Sequence, residues 1–137
     1  MPYQLIDHTA DTGVRVWAET LEQLFAEACR ALFEQITDPA GLTDPRPQPL
    51  RVEGIDLTDL LINWMRACLE IWTVDQCLVR SARLGSIKDL IAEGQILAQT
   101  FDPRQHPIFV DIKAVTYHDA RITETDDGWE AAVIFDV

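Results

Sequence analysis

Two segments of the chain repeat apolar residues at the spacing of an amphipathic helix. The first runs from Leu21 to Ile36, and Thr20 with Gln23 forms the pattern of a capping box at its start. The second follows Asp56, a residue type that caps helices, and has one broad apolar face. That face comprises Leu57, Leu60, Leu61, Trp64, Met65, Cys68, Leu69 and Trp72. We predict two helices that bury these faces in the core.

Alternation of apolar and polar residues predicts a half-buried strand near the start of the chain. Over residues 13–18 the apolar Val14 and Val16 alternate with Arg15 and Trp17. The polar run just before this strand is expected to be a turn.

The segment between the two predicted helices is rich in proline. Residues 37–49 contain four of the seven prolines, and proline can neither continue a helix nor donate to a sheet. We therefore expect a surface loop there, followed by a short strand over residues 50–53.

The second half of the chain mixes β-branched and apolar residues with turn residues and is expected to consist of strands. The predicted strands are 79–87, 90–101, 109–118, 121–124 and 129–137, the last two joined by a turn at Asp126-Asp127-Gly128. Together the elements predict an α+β fold, a two-layer sandwich with both helices on a mixed, largely antiparallel sheet. A chain of 137 residues fits one such domain, residues 1–137.

The charge balance excludes several classes of function. Eleven basic and 23 acidic residues give a net charge of −12, so strong direct binding to nucleic acid is not expected. No apolar run approaches the roughly 20 residues of a membrane span, and the first residues lack the pattern of a secretion signal. Cys29, Cys68 and Cys77 form no disulfide pattern. We expect a soluble, cytoplasmic protein with free, buried thiols and no membrane association.

The last predicted strand suggests a cation site. Both alternating sets of residues over 131–137 are apolar, which predicts a strand covered on both faces. Asp136 near its end would be costly to bury alone, and the carboxylate of Val137 adds a second negative group beside it. A cation between them would relieve the repulsion. The alternative is a frayed chain end at which both carboxylates are hydrated.

The turn Asp7-His8-Thr9-Ala10-Asp11 offers further oxygen ligands. If it lies beside the end of the last strand, carboxylates, a hydroxyl and carbonyl oxygens form an all-oxygen site for Ca²⁺ or Mg²⁺. The chain lacks the cysteine and histidine spacing of a zinc site. Asx turns and caps use the same residue types, so a purely structural turn is the alternative.

Candidates for catalysis are few. His8 and His118 could act as general bases and Tyr117 as a donor, but neither histidine has a recognisable nucleophile beside it. The sequence contains no nucleophile elbow, Walker loop or dinucleotide-binding turn. Structural hydrogen bonding is the alternative role for both histidines, and Lys113 is expected to be a strand residue that faces solvent. We predict no independent catalytic site.

Several segments, in order along the chain, together resemble the archease family. They are Asp7–Asp11 followed by Gly13, Thr20-Leu21-Glu22, Asp56-Leu57 with Leu60-Leu61 and Trp64, Lys113–His118, and Phe135-Asp136-Val137. The resemblance extends from one end of the chain to the other. It implies an α+β sandwich with a strand-helix-strand-strand core and an inserted segment.

The resemblance implies an accessory protein rather than an enzyme. Archease-like proteins activate the tRNA-splicing and RNA-repair ligase that joins 2′,3′-cyclic-phosphate or 3′-phosphate ends to 5′-hydroxyl ends. That ligase carries guanylyl on a histidine, and the activator promotes guanylylation and multiple turnover and broadens nucleotide use.

The resemblance also implies a metal site. In this family a divalent metal, usually Ca²⁺, with Mg²⁺ or Mn²⁺ as alternatives, is held by the residues corresponding to Asp11, Asp136 and Val137. The residues expected to surround the metal or contact the partner are Asp7, His8, Thr9, Lys113, Tyr117 and His118.

The sequence departs from the family at three places. Thr12 replaces a residue that is commonly bulky and apolar. An acidic residue that often follows the tryptophan of the second helix is missing from the stretch Met65-Arg66-Ala67. Asp119-Ala120 replaces a glycine followed by a bulky apolar residue.

Two other classes of function stay open as alternatives to the activator. A general chaperone or adaptor would use exposed apolar surface, whereas a metal-dependent hydrolase would need an open metal position beside a base. The oligomeric state is also open.

Overall fold

A computed structural model describes residues 2–7 and 11–137, and for Asp7 and Asp11 it describes the backbone alone. Two α-helices, one short 3-10 helix (Pro39–Gly41) and seven strands make up this part of the chain. In order, the strands and α-helices are β1 (Tyr3–Asp7), β2 (Asp11–Ala18), α1 (Leu21–Ile36), β3 (Arg46–Glu53), α2 (Leu57–Thr73), β4 (Cys77–Lys88), β5 (Ile91–Thr100), β6 (Ala114–Thr125) and β7 (Gly128–Asp136).

Both helices begin at the predicted caps. The Thr20 side chain accepts from the Gln23 backbone N–H at 3.1 Å, and α1 ends at the predicted residue, Ile36. At α2, the Asp56 carboxylate accepts from the Asp59 backbone N–H at 2.8 Å. These bonds satisfy backbone donors that have no partner within the first helical turn. The helix predictions are therefore confirmed.

The strands form two antiparallel sheets, and the predicted α+β class is confirmed. Sheet A has the order β1-β2-β7-β6, and sheet B has the order β3-β5-β4. Every strand pairing within the two sheets is antiparallel. Each helix contacts strands of both sheets. The prediction of a single, mixed sheet was wrong. An alternating pattern shows which residues of a strand are buried, but it does not show which strands are neighbours.

The helices are joined by a buried hydrogen bond as well as by apolar contact. The indole N–H of Trp64 on α2 donates to the backbone oxygen of Phe25 on α1 at 3.0 Å, and the two rings are 6.4 Å apart. Trp64 is completely buried, so this bond gives its polar atom a partner in the core.

The proline-rich segment contains more strand than predicted. β3 begins at Arg46 and includes Pro47 and Pro49, so the prediction of a loop through residue 49 was wrong. β3 is an edge strand that pairs with β5 alone. Prolines two residues apart are compatible with an edge strand, because their missing N–H groups both face away from the partner.

The end of the chain contains two strands where three were predicted. β6 runs without interruption over residues 114–125, but its pairing with β7 is irregular between Thr116 and Arg121. Asp119 within that stretch has a φ of 52°. Residues 109–113 lie outside the strand, whereas the turn between β6 and β7 is confirmed.

The predicted buried thiols are confirmed for two of the three cysteines. Cys29 on α1 and Cys68 on α2 are fully buried, and Cys77 is half-buried. Burial raises the pKa of the Cys68 thiol, and the neighbouring Cys29 raises it further. In the described ranges, neither helix has the length and hydropathy needed to cross a membrane.

Candidate functional site

The pairing of β2 with β7 brings two predicted ligand positions together at one end of sheet A. Asp136 on β7 is the direct pairing partner of Asp11 on β2, and on its other side it pairs with Ala114 of β6. Direct partners in an antiparallel pair have Cα atoms about 4.5–5.5 Å apart. The backbone N–H of Lys113 donates to the backbone oxygen of Asp136 at 2.8 Å, so Lys113 also lies at this end.

The burial of β7 ends one residue before Asp136. Residues 131–135 are buried, as predicted for a strand covered on both faces. Asp136 is exposed and Val137 is 45% exposed, so the argument that Asp136 is costly to bury was wrong. The exposed carboxylate is instead available to a ligand or a partner.

The described part of the predicted donor set fits a hard cation. Asp136 has no ion-pair partner among the described residues, and its carboxylate and the oxygens of Val137 are the donor types that Ca²⁺ and Mg²⁺ prefer. The side chains described contain no group of three metal-ligating residues. Asp11 contributes only its backbone to that description, so the set Asp11, Asp136 and Val137 stays a prediction.

The middle of the predicted turn Asp7–Asp11, residues 8–10, lies outside the described residues. This applies to His8 and Thr9, and to the side chain of Asp7.

Tyr117 on β6 contacts side chains of α2. We call Tyr117 together with Asp59, Asn63 and Arg66 the Tyr117 cluster. The Tyr117 hydroxyl donates to the Asp59 carboxylate, and the Arg66 guanidinium lies 4.6 Å from the centre of the Tyr117 ring. Arg66 also donates to the backbone oxygen of Val115 at 3.0 Å. Because Tyr117 is 48% exposed, the cluster holds an aromatic ring at the surface in a fixed position.

The hydrogen bond between Tyr117 and Asp59 favours the protonated phenol and the ionised carboxylate. It lowers the pKa of the Asp59 carboxyl, with the Ile55 backbone N–H adding to the effect. The same bond raises the pKa of the Tyr117 phenol. The Tyr117 proton is thus directed at a carboxylate of the same chain rather than outward.

His118 and Lys113 are exposed, and both lie within four residues of Tyr117 in the sequence. His118 lies 3.3 Å from the Asp119 carboxylate, and both side chains are 66% exposed, so this pair is well hydrated. Lys113 is exposed, as predicted, but it precedes β6 rather than lying within it. These two residues and Tyr117 are available to a partner at the surface.

One buried histidine was missed by the sequence analysis. His106 is 2% exposed, its Nδ1 accepts from the Asp102 backbone N–H at 2.9 Å, and its Nε2 has no partner within the described residues. In the sequence, the Asp102-Pro103 and His106-Pro107 pairs are typical of a turn and do not indicate a buried histidine. The structure shows that the imidazole fixes the connection between β5 and β6.

That connection is also tied to the end of α1. The Thr37 hydroxyl donates to the backbone oxygen of Pro107 at 2.7 Å, and the Phe109 N–H donates to the backbone oxygen of Ile36 at 2.7 Å. The approach to Lys113 is therefore anchored to the helical core.

Comparison with known proteins identifies the family to which this architecture belongs. A sequence model of the Archease protein family matches residues 3–137. The chain belongs to the archease family. Protein archease of Methanopyrus kandleri is 34% identical over 140 residues, covering 100% of both chains. Protein archease of Methanosarcina barkeri is 33% identical, covering 98% of this chain and 95% of the relative.

A solved archease-family structure has the same fold. The solution structure of Methanobacterium thermoautotrophicum protein 1598 superposes with a TM-score of 0.82 at 26% identity, covering 99% of each chain. Residues at all three departures from the archease pattern can be placed in this fold. Arg66 stacks on Tyr117, and Asp119 adopts the positive φ that glycine tolerates more readily. Thr12, the third departure, pairs with Phe135.

Proposed function

We propose that this protein activates the tRNA-splicing and RNA-repair ligase that joins 2′,3′-cyclic-phosphate or 3′-phosphate ends to 5′-hydroxyl RNA ends. In this role it promotes guanylylation of the ligase histidine and multiple turnover, broadens nucleotide use, and performs no chemistry itself. The observation that carries the proposal is membership of the archease family across residues 3–137.

The acidic end of sheet A is the proposed docking surface. Asp136 and Val137 are exposed there, the chain carries a net charge of −12, and an RNA ligase needs a basic active-site cleft to hold its substrate. Charge complementarity of this kind increases the association rate and orients the partners. A coupling of about 1–3 kcal/mol would change the reactive population of the ligase about 5- to 150-fold.

A divalent cation, Ca²⁺ by preference, is proposed at the same end, with Asp11, Asp136 and Val137 as ligands. When bound, the cation would offset the repulsion between the carboxylates and stabilise the ends of β2 and β7. The Tyr117 cluster and Lys113 then supply an aromatic ring and a positive charge beside the acidic end. We favour docking of this surface over delivery of the cation to the ligase.

A ligation assay under multiple-turnover conditions tests the proposal. The ligase from the same source would join a cyclic-phosphate RNA to a 5′-hydroxyl RNA with and without this protein. We expect stimulation by the wild type and its loss with Asp136→Asn, which removes the charge but keeps the shape of the side chain. Asp75→Asn is the matched control, because Asp75 is an exposed aspartate after α2.

The controls separate the alternative functions. Full stimulation by Asp136→Asn would remove the acidic end from the mechanism, and no stimulation by folded wild type would contradict the activator function. A general chaperone would suppress aggregation of unrelated proteins regardless of Asp136. A metal-dependent hydrolase would show chelator-sensitive turnover in the absence of any ligase.

A further inference from the structure

The opposite end of the β2–β7 pair forms an open cavity of about 820 Å³. We call it the Trp17 cavity, and it lies where Pro2, the corner between β2 and α1, and the β6–β7 hairpin meet. The eight residues of β2 separate it from the Asp136 end by about 24 Å, at about 3.4 Å per residue. It is thus separate from the proposed ligase-docking surface.

Backbone contacts hold the three segments of the Trp17 cavity in place. The Trp17 N–H donates to the backbone oxygen of Pro2 at 3.0 Å. Gly128 starts β7 with a φ of 147°, and a side chain at this position would overlap the Ala18 carbonyl oxygen and approach Glu19 Cα to 2.8 Å. The hairpin therefore packs closely against the corner before α1, and the cavity walls are preformed.

The lining of the Trp17 cavity combines aromatic rings with negative charge. The lining residues include Trp17, Trp129, Glu19, Asp127 and Glu130. Trp17 pairs directly with Glu130 across the β2–β7 pair, so these two side chains lie on the same face of sheet A. Among the described residues no lysine or arginine lines it, and the nearest compensation is Arg15, whose Nε lies 3.3 Å from Glu130. Glu19 and Asp127 have no ion-pair partner within the described part of the chain.

The exposure of Trp17 also points to a ligand at this cavity. It is 44% exposed, although a tryptophan has a large apolar surface that is ordinarily buried. Trp129, in contrast, packs partly against the core. A solvent-exposed indole ring attracts a cation through its quadrupole, and neighbouring carboxylates attract the same cation through their charge.

We propose that the Trp17 cavity binds an arginine side chain presented by a segment of a partner protein. A guanidinium stacks on an indole face and donates to carboxylates in the same plane, and it is more weakly hydrated than the ammonium of lysine. The cavity volume falls in the range that accommodates a ligand larger than one side chain. The charge of the lining complements a basic segment, and the site requires no ligase and no metal.

The test uses the whole protein and a synthetic peptide of about ten residues with a central arginine, otherwise neutral. Titration would be followed in every variant by the backbone amide NMR signals of Thr125 and Glu130, which also line the cavity. In proteins that keep Trp17, its indole N–H signal, assigned by its loss in Trp17→Phe, gives a second readout. We expect saturable binding with a dissociation constant of roughly 0.1–1 mM, the range of a single small anchor. The same peptide with citrulline, which keeps the shape but lacks the charge, should bind at least about fivefold more weakly.

Two variants and one control locate the binding. Trp17→Ala and Glu19→Gln should each weaken the arginine peptide by about three- to tenfold. Phe109→Ala removes another exposed aromatic ring and should change nothing. Both Trp17 and Glu19 are exposed, and Glu19→Gln retains the side-chain shape, so at least this variant should fold as the wild type does.

Several results would overturn the proposal. They are the absence of a saturable change at about 10 mM peptide, equal binding of the citrulline peptide, or unchanged affinity in both cavity variants. If free arginine binds as tightly as the peptide, the cavity recognises a small cation rather than a protein segment. Because no ligase is present, a negative result here leaves the ligation assay unaffected, and the reverse also holds.

Discussion

The two ends of the β2–β7 pair are both acidic, but they are built differently. At the Asp136 end the described carboxylate is exposed, and main-chain hydrogen bonding supplies the order. At the Trp17 end, acidic residues line a cavity together with an exposed tryptophan, and a tightly packed glycine fixes the backbone. The first arrangement favours a hard ion or a basic surface. The second favours an organic cation that has a flat apolar face.

The largest expected effect is on the Trp17 end, from Gly128→Ala. This substitution places a side chain against the Ala18 carbonyl and forces a φ of 147° on a residue other than glycine, so the free energy of unfolding should fall by about 3 kcal/mol or more. Gly13→Ala is the comparison at the other end, where a Cβ would come 2.5 Å from the Val133 oxygen without a positive φ.

Urea unfolding of the Gly128→Ala and Gly13→Ala variants measures the difference. We expect Gly13→Ala to be the milder of the two, because it meets a steric conflict alone. Equal losses would show that backbone conformation does not distinguish the two ends.

A smaller effect is expected from calcium at the Asp136 end. A ligand that binds only the folded state at 100 times its dissociation constant stabilises it by about 2.7 kcal/mol. Thermal unfolding of the wild type in calcium should therefore occur at a higher temperature than in chelator, and Asp136→Asn should lose this difference. Asp127→Asn at the other end should retain it, whereas loss of the difference in both variants would indicate general charge screening.

The smallest expected effect compares the two tyrosines, one towards each end of sheet A. Tyr3 on β1 pairs with Val16 and donates to Glu34, and burial, followed by this hydrogen bond, raises its pKa to about 12. The pKa of Tyr117 is raised chiefly by its bond to Asp59. An unfolded tyrosine titrates near 10, so both groups stabilise the folded state below that pH.

Alkaline titration of tyrosinate absorbance measures this directly. The stabilisation should be lost as the pH rises from about 10 through each folded-state pKa, which for Tyr3 is about 12. Because the chain has two tyrosines, Tyr117→Phe should leave a single transition belonging to Tyr3. A transition at the ordinary pKa of tyrosine in the wild type would contradict the hydrogen bonds described here.

Local signals predicted the helices well, and the candidate site less completely. Thr20 and Asp56 each act on a backbone N–H three residues away, so their role is visible in the sequence. The bond from Tyr117 to Asp59 joins residues 58 positions apart, and no periodic pattern reports such a pairing. The residue types at Asp11 and Asp136 suggested a common site, and the register of β2 and β7 supports their proximity.

The pattern of apolar residues also did not predict where burial ends along a strand. An apolar run predicts that a strand is covered, but the point where the cover stops depends on neighbours elsewhere in the fold. Phe135 is fully buried while the next residue, Asp136, is exposed. In the same way, Pro47 and Pro49 predict a loop until the structure shows that their strand has a partner on one side only.

The position of these prolines affects how the protein behaves at high concentration. An open sheet edge offers a row of backbone donors to which a strand of another molecule can add, which is a common route to aggregation. On the outer side of β3 two successive donors are missing, because Pro47 and Pro49 have no N–H group. The β3 edge of sheet B is therefore a poor template for strand addition between copies of this chain.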